Sequence, residues 1–71
     1  MNSMNSPQAL AELLGERIKL ARLNANLTQT ELGKLAGLSR IAVTGAESGK
    51  TQLVTFLALL DALKLSPQID S

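Results

Sequence analysis

The side chains of this chain best suited to engage a partner are hydrogen-bond donors and cations: Gln29, Ser39, Arg40, Thr44 and Lys50. A carboxamide or hydroxyl at a helix start can hold a phosphate oxygen, because the unpaired N–H groups and the helix dipole make that end partially positive. A guanidinium can fork onto O6 and N7 of guanine, or reach a phosphate instead. The chemistry is recognition, not bond making. Histidine and cysteine are absent. The serines and carboxylates show no pairing of base with nucleophile, and Glu12 with Glu16 is ordinary helix-surface spacing. No catalytic residue, metal ligand set or cofactor is expected, and the protein is predicted not to be an enzyme. Gly45-Ala46-Glu47-Ser48-Gly49-Lys50-Thr51 superficially matches a nucleotide-binding phosphate loop. It has one residue too few between its glycines and no strand before it, so that reading is rejected.

These residues need short helices to aim them. Thr28 and Glu31 have the spacing of a capping box, in which a hydroxyl accepts from the third helical N–H and the carboxylate reaches back to the cap's own N–H. Leu32, Leu35 and Ala36 then share one face of a helix that Gly37 stops. Ser39 caps a following helix that starts at Arg40 and turns Ala42, Val43 and Ala46 inward, leaving Arg40, Ile41, Thr44 and Gly45 outward. Gly49 is expected to end it. Ser6-Pro7 begins a first helix running to about Asn24, with Leu10, Leu13, Leu14, Ile18, Ala21 and Ala25 as its buried stripe. Asn26 can adopt the positive φ that its stop requires. Leu53, Phe56, Leu57, Leu60 and Leu63 form the apolar stripe of a last helix, ended by Ser66-Pro67. Residues 1–5 are expected to be disordered, residues 6–66 to form the domain, and residues 67–71 to be a tail.

The ordered set Leu14-Gly15-Glu16-Arg17-Ile18, Arg22, Leu27-Thr28-Gln29, Leu32, Gly37-Leu38-Ser39, Glu47 and Gly49-Lys50, followed by a Leu-rich final helix, resembles the Xre-type helix-turn-helix family of phage Cro and repressor proteins. The likeness spans roughly Leu14 to Ser66. It implies an all-α, lambda-repressor-like bundle of four or five helices whose third helix enters a DNA groove. It also implies that Gln29 holds phosphate, with an ordinary solvated glutamine as the alternative. Arg22 and Glu47 match a structural pair that fixes the recognition helix; a partly exposed pair contributes about 1 kcal/mol or less.

Double-stranded DNA is therefore the expected partner, with Arg40, Ile41, Thr44 and Gly45 as base contacts and Gln29, Ser39 and Lys50 as phosphate contacts. Ser39 needs no role beyond capping. Ile41 either packs on thymine methyl groups or tucks beneath the second helix. Gly45 costs about 1 kcal/mol relative to alanine inside a helix, so it marks either close approach to the DNA backbone or drift at a tolerant position. The pattern departs from the family at Gly33, where a small alanine is usual, and on a reading face poor in long polar side chains.

Seventy-one residues make one small domain, whose single core supplies only a few kcal/mol. Nearly half the residues are hydrophobic, yet there is one Phe and neither Trp nor Tyr, so the core must be aliphatic and helical. The absence of cysteine excludes disulfides, and no apolar run is long enough to span a bilayer, so a cytoplasmic protein with no membrane association is expected. A net charge of +1 is weak for a DNA binder and must be offset by distribution. Lys34, Arg40 and Lys50 fall around the reading surface, while Glu12, Glu16, Asp61 and Asp70 lie in the first and last segments. Two copies on two half-sites would compensate, which predicts a homodimeric repressor of a palindromic operator. Leu10, Val54, Leu59, Leu65 and Ile69 either form the dimer surface or are covered within one copy. An antitoxin that binds a kinase-like toxin partner and autoregulates its operon is the first alternative. A protein-interaction module that has lost DNA binding is the second.

Overall fold

A computed structural model describes residues 6–64, which form four α-helices: α1 Pro7–Asn24, α2 Gln29–Ala36, α3 Arg40–Glu47 and α4 Leu53–Lys64. The expectations for residues 1–5, for Leu65, Ser66-Pro67 and Ile69, and for the tail lie outside the described residues.

Local chemistry sets the boundaries. Ser6 Oγ accepts from the Ala9 N–H at 3.0 Å and Pro7 occupies the first turn of α1, where its missing donor costs nothing. Thr28 and Glu31 complete the reciprocal box at α2, at 3.0 and 2.8 Å. Ser39 Oγ accepts from the Ala42 N–H at 3.1 Å at α3. Helix ends are built alike as well. Asn26, Gly37 and Gly49 all take positive φ. In each case the next residue's N–H returns to the carbonyl five positions back: Leu27 to Arg22, Leu38 to Gly33, and Lys50 to Gly45. This is the Schellman closure, which satisfies carbonyls that a helix end leaves orphaned. α3 therefore stops at Glu47 with Ser48 as its cap, and Gly49 makes the reversal just beyond.

All four helices contribute to one core of Ile18, Leu32, Val43, Ala46, Phe56, Leu59, Ala62 and Leu63, with Leu14, Ala21, Leu27, Ala36 and Leu38 packed around it. Several leucines expected inside are not there. Leu35 is 54% exposed, Leu10 and Leu13 are about half exposed, and Leu53, Leu57 and Leu60 lie on the open side of α4. Leu59, by contrast, is wholly buried. The cause is phase: α4 carries apolar residues on more than one face, so three- and four-residue spacing fits several stripes, and the neighbouring helices choose among them.

Two glycines mark close packing. A Cβ on Gly15 would collide with the Ala46 carbonyl oxygen and sit 2.8 Å from that of Glu47, so α1 and the end of α3 touch backbone to backbone. A Cβ on Gly33 would lie 2.5 Å from the Leu38 carbonyl oxygen, so the room left by the missing methyl is used by the chain entering α3. Replacing Gly15 by alanine sets a propensity gain of about 1 kcal/mol against a clash with backbone that cannot rotate away, and overpacking of about 1–3 kcal/mol wins. Urea unfolding of Gly15→Ala is expected to show a lower midpoint at unchanged slope; a raised midpoint would contradict the packing described.

Candidate nucleic-acid interface

At the interface, a carboxylate ties three helices together. Glu47, the last residue of α3, accepts from Arg22 Nε at 2.6 Å through Oε2 and from Arg22 Nη2 at 3.2 Å through Oε1. Its Oε1 also accepts from Gln29 Nε2 at 3.1 Å. The third guanidinium nitrogen, Arg22 Nη1, donates to the Leu27 carbonyl at 2.8 Å. α1, the start of α2 and the end of α3 are thereby joined through one anion. The expected partly exposed pair is corrected here: the two side chains retain 9% and 5% of their exposure. A bidentate pair at that depth has fixed geometry but an uncompensated desolvation cost if either partner is lost.

The carboxamide of Gln29 is engaged at both ends. Besides donating to Glu47, its Oε1 accepts from Thr44 Oγ1 at 3.0 Å, and the same hydroxyl lies 3.0 Å from the Arg40 carbonyl. The sequence reading missed this bridge between α2 and α3, because fifteen residues separate Gln29 from Thr44 and no local spacing signals the contact. The one available hint was that both are polar residues on adjacent short helices, Gln29 at the first position of α2 and Thr44 one turn into α3. Among the described residues no buried side-chain nitrogen or oxygen lacks a partner.

Around this fastened core lies an open face. Arg40 and Thr44 are exposed on α3, and Ile41 between them is 76% exposed. Ile41 thus projects outward and does not tuck beneath α2. The Arg40 side chain makes no hydrogen bond or ion pair among the described residues, nor do the side chains of Lys34 and Lys50, both exposed. Ser39 is exposed at the head of α3, its oxygen accepting the cap bond and its proton without an acceptor among the described residues. Gly45 is half-buried, and a Cβ there would approach the Lys50 carbonyl oxygen to 3.2 Å. The turn after α3 accordingly supplies a reason within the chain for that glycine. No group of three His, Cys, Asp or Glu residues that could hold a metal occurs among the described residues, and no helix there is long and apolar enough to cross a membrane.

Comparison with known proteins agrees with this geometry. Residues 13–69 match a family model described as a helix-turn-helix domain. The chain is also 38% identical over 58 residues to the repressor protein C2 of Salmonella phage P22, an alignment covering 79% of this chain and 27% of that protein. The chain thus spans about a quarter of the length of this curated relative.

The buried anion sets a measurable energy. Glu47→Ala leaves the Arg22 guanidinium buried and unpaired, at about 3–5 kcal/mol, comparable with the whole stability of a domain this small. The variant is expected to be largely unfolded by circular dichroism at 25 °C. The apolar double replacement Arg22→Met with Glu47→Leu is expected to recover much of the loss, since no charge remains to be desolvated. Equal destabilisation by the single and double changes would count against the pair's burial.

Proposed function

Because the chain belongs to the helix-turn-helix domain family, we propose that it is a sequence-specific DNA-binding transcriptional regulator of the cytoplasm, a repressor that binds a palindromic operator as a homodimer. The observation that carries this reading is the outer face of α3, where the Arg40 side chain has no partner among the described residues and Ile41 is 76% exposed while the helix behind them is fixed by the Glu47 bonds. Arg40 is positioned in the first turn to fork onto guanine, and Ile41 offers an apolar surface to thymine methyl groups. Thr44 and Gly45, one turn on, border the same contact. Ser39 has a hydroxyl proton without an acceptor among the described residues and Gln29 a second amide hydrogen, both suited to phosphate oxygens at the positive ends of α3 and α2. Lys50 adds a cation beside the turn. The repressor named for the phage relative supports the direction of regulation.

A net charge of +1 provides little nonspecific attraction per copy, so useful affinity calls for two half-sites read together. The second copy is assigned to the open side of α4, where Leu53, Val54, Leu57 and Leu60 are exposed. Leu53, Leu57 and Leu60 follow at four- and three-residue spacing with Val54 beside them, so the exposed side chains form one apolar strip along the helix.

Selection of bound sites from random duplexes, repeated with Arg40→Ala, tests the reading. The variant is expected to lose about 1–3 kcal/mol at a single guanine-containing position and to relax preference there. A uniform loss makes Arg40 a phosphate anchor, and no duplex binding by the parent chain even at low salt would refute the DNA reading. For the dimer, Leu57→Glu with Leu60→Glu is expected to convert a two-copy species to one copy in sedimentation and to weaken binding to a palindrome more than to one half-site. A parent chain that sediments as one copy and still binds palindromes no better than half-sites would overturn the homodimer.

A further inference from the structure

We infer that Thr44 is a positioning residue: its hydroxyl fixes the side-chain amide of Gln29 in the orientation that offers a donor to a DNA phosphate, and it does not itself read a base. The phosphate half of this inference rests on the proposed DNA binding; the orientation half does not.

A glutamine amide has two faces related by a half-turn, and its hydrogen-bond partners decide which one is adopted. Here Glu47, at the end of α3, selects one of them, and the Thr44 hydroxyl, which can donate or accept, ties the amide down in the orientation so selected. Glu47 Oε1 is an acceptor only and takes Nε2 at 3.1 Å. Thr44 Oγ1 stands 3.0 Å from Oε1, where its single proton is the matching donor. The reversed amide would set its oxygen against the Glu47 carboxylate and turn its NH2 toward the hydroxyl. With the orientation fixed, one Nε2 hydrogen is consumed by Glu47 and the other has no acceptor among the described residues. That second hydrogen sits at the first residue of α2, where the helix dipole favours an anion.

The threonine proton is spent in the process. Its two acceptors within reach, Gln29 Oε1 and the Arg40 carbonyl, are both 3.0 Å away, and a hydroxyl carries one proton. A base acceptor would have to displace an internal bond before Thr44 could donate to it. Thr44 is exposed, so its position on the outer side of α3 suggests a base contact, while its bonding assigns it to the support of another residue.

The test uses Thr44→Val, which keeps the shape and removes the hydroxyl, and Thr44→Ser, which keeps the hydroxyl. In the free protein, the Gln29 side-chain amide resonances are expected to shift and broaden in Thr44→Val and to return toward the parent values in Thr44→Ser, with the backbone spectrum of both remaining that of the folded chain. On selected duplexes, Thr44→Val is expected to weaken binding about three- to tenfold for every sequence, the size of one hydrogen bond, and serine to restore it. In a Gln29→Ala background the same valine change is expected to have no further effect, because coupled residues are not additive. Unchanged amide resonances, a loss confined to one base pair, or full additivity with Gln29→Ala would each overturn the inference. Failure of the parent chain to bind any duplex would remove the phosphate role together with the proposed function, and the amide spectra would still decide the orientation.

Discussion

The carboxylate of Glu47 is the group on which the arrangement of the helices depends. It accepts from two nitrogens of Arg22 and from the amide of Gln29, so the end of α3 is bonded to α1 and to the start of α2. A buried charge cannot tolerate a vague partner, because what is lost on leaving water returns only through short, well-directed bonds. Apolar contacts between α3 and its neighbours would allow the helix to slide or roll by small amounts at little cost. The ionic bonds do not, and they hold a helix whose opposite side exposes Arg40 and Ile41.

Such fastening matters because α2 and α3 are only eight residues long each. Isolated helices of that length are not stable in water, since the cost of nucleation is spread over too few bonds. Their existence here rests on what surrounds them: a side-chain cap at each start, a positive-φ reversal at each end, and one or two core residues that bury an inner face. The glycines at 15 and 33 remove a methyl group where backbone meets backbone, which lets these short elements approach closely enough for Leu32, Val43 and Ala46 to be fully enclosed.

The exposed side of α3 combines this rigidity with modest electrostatics. Arg40, Lys34 and Lys50 are not neutralised by partners among the described residues, whereas the more buried cation, Arg22, is spent on Glu47. A chain of low net charge can therefore still present a locally positive surface. Apolar exposure is spread over all four helices, including Leu10, Leu13, Leu20 and Leu23 on α1 and Leu35 on α2, and two of its regions differ in consequence: Ile41 stands on the reading side, and the leucines and valine of α4 stand on a different helix. The first suits contact with base edges, the second contact with another protein surface.

The capping residues Ser6, Thr28 and Ser39 and the reversals at Asn26 and Gly37 were legible from the sequence, because each depends on bonds within a few residues of one chain segment. The ordered residues shared with the helix-turn-helix family fixed the fold class for the same reason: each marks a local event, and their succession leaves few ways to join the pieces. Tertiary structure alone decided which leucines are covered. Leu59 is enclosed and Leu57, two residues earlier, is open, a choice made by the position of the neighbouring helices and not by helical period. It also decided that Arg22 and Glu47 are withdrawn from solvent and that Thr44 meets Gln29. Hydrogen bonds and burial between residues distant in sequence are set by the relative placement of helices, and that placement is a property of the whole packed chain.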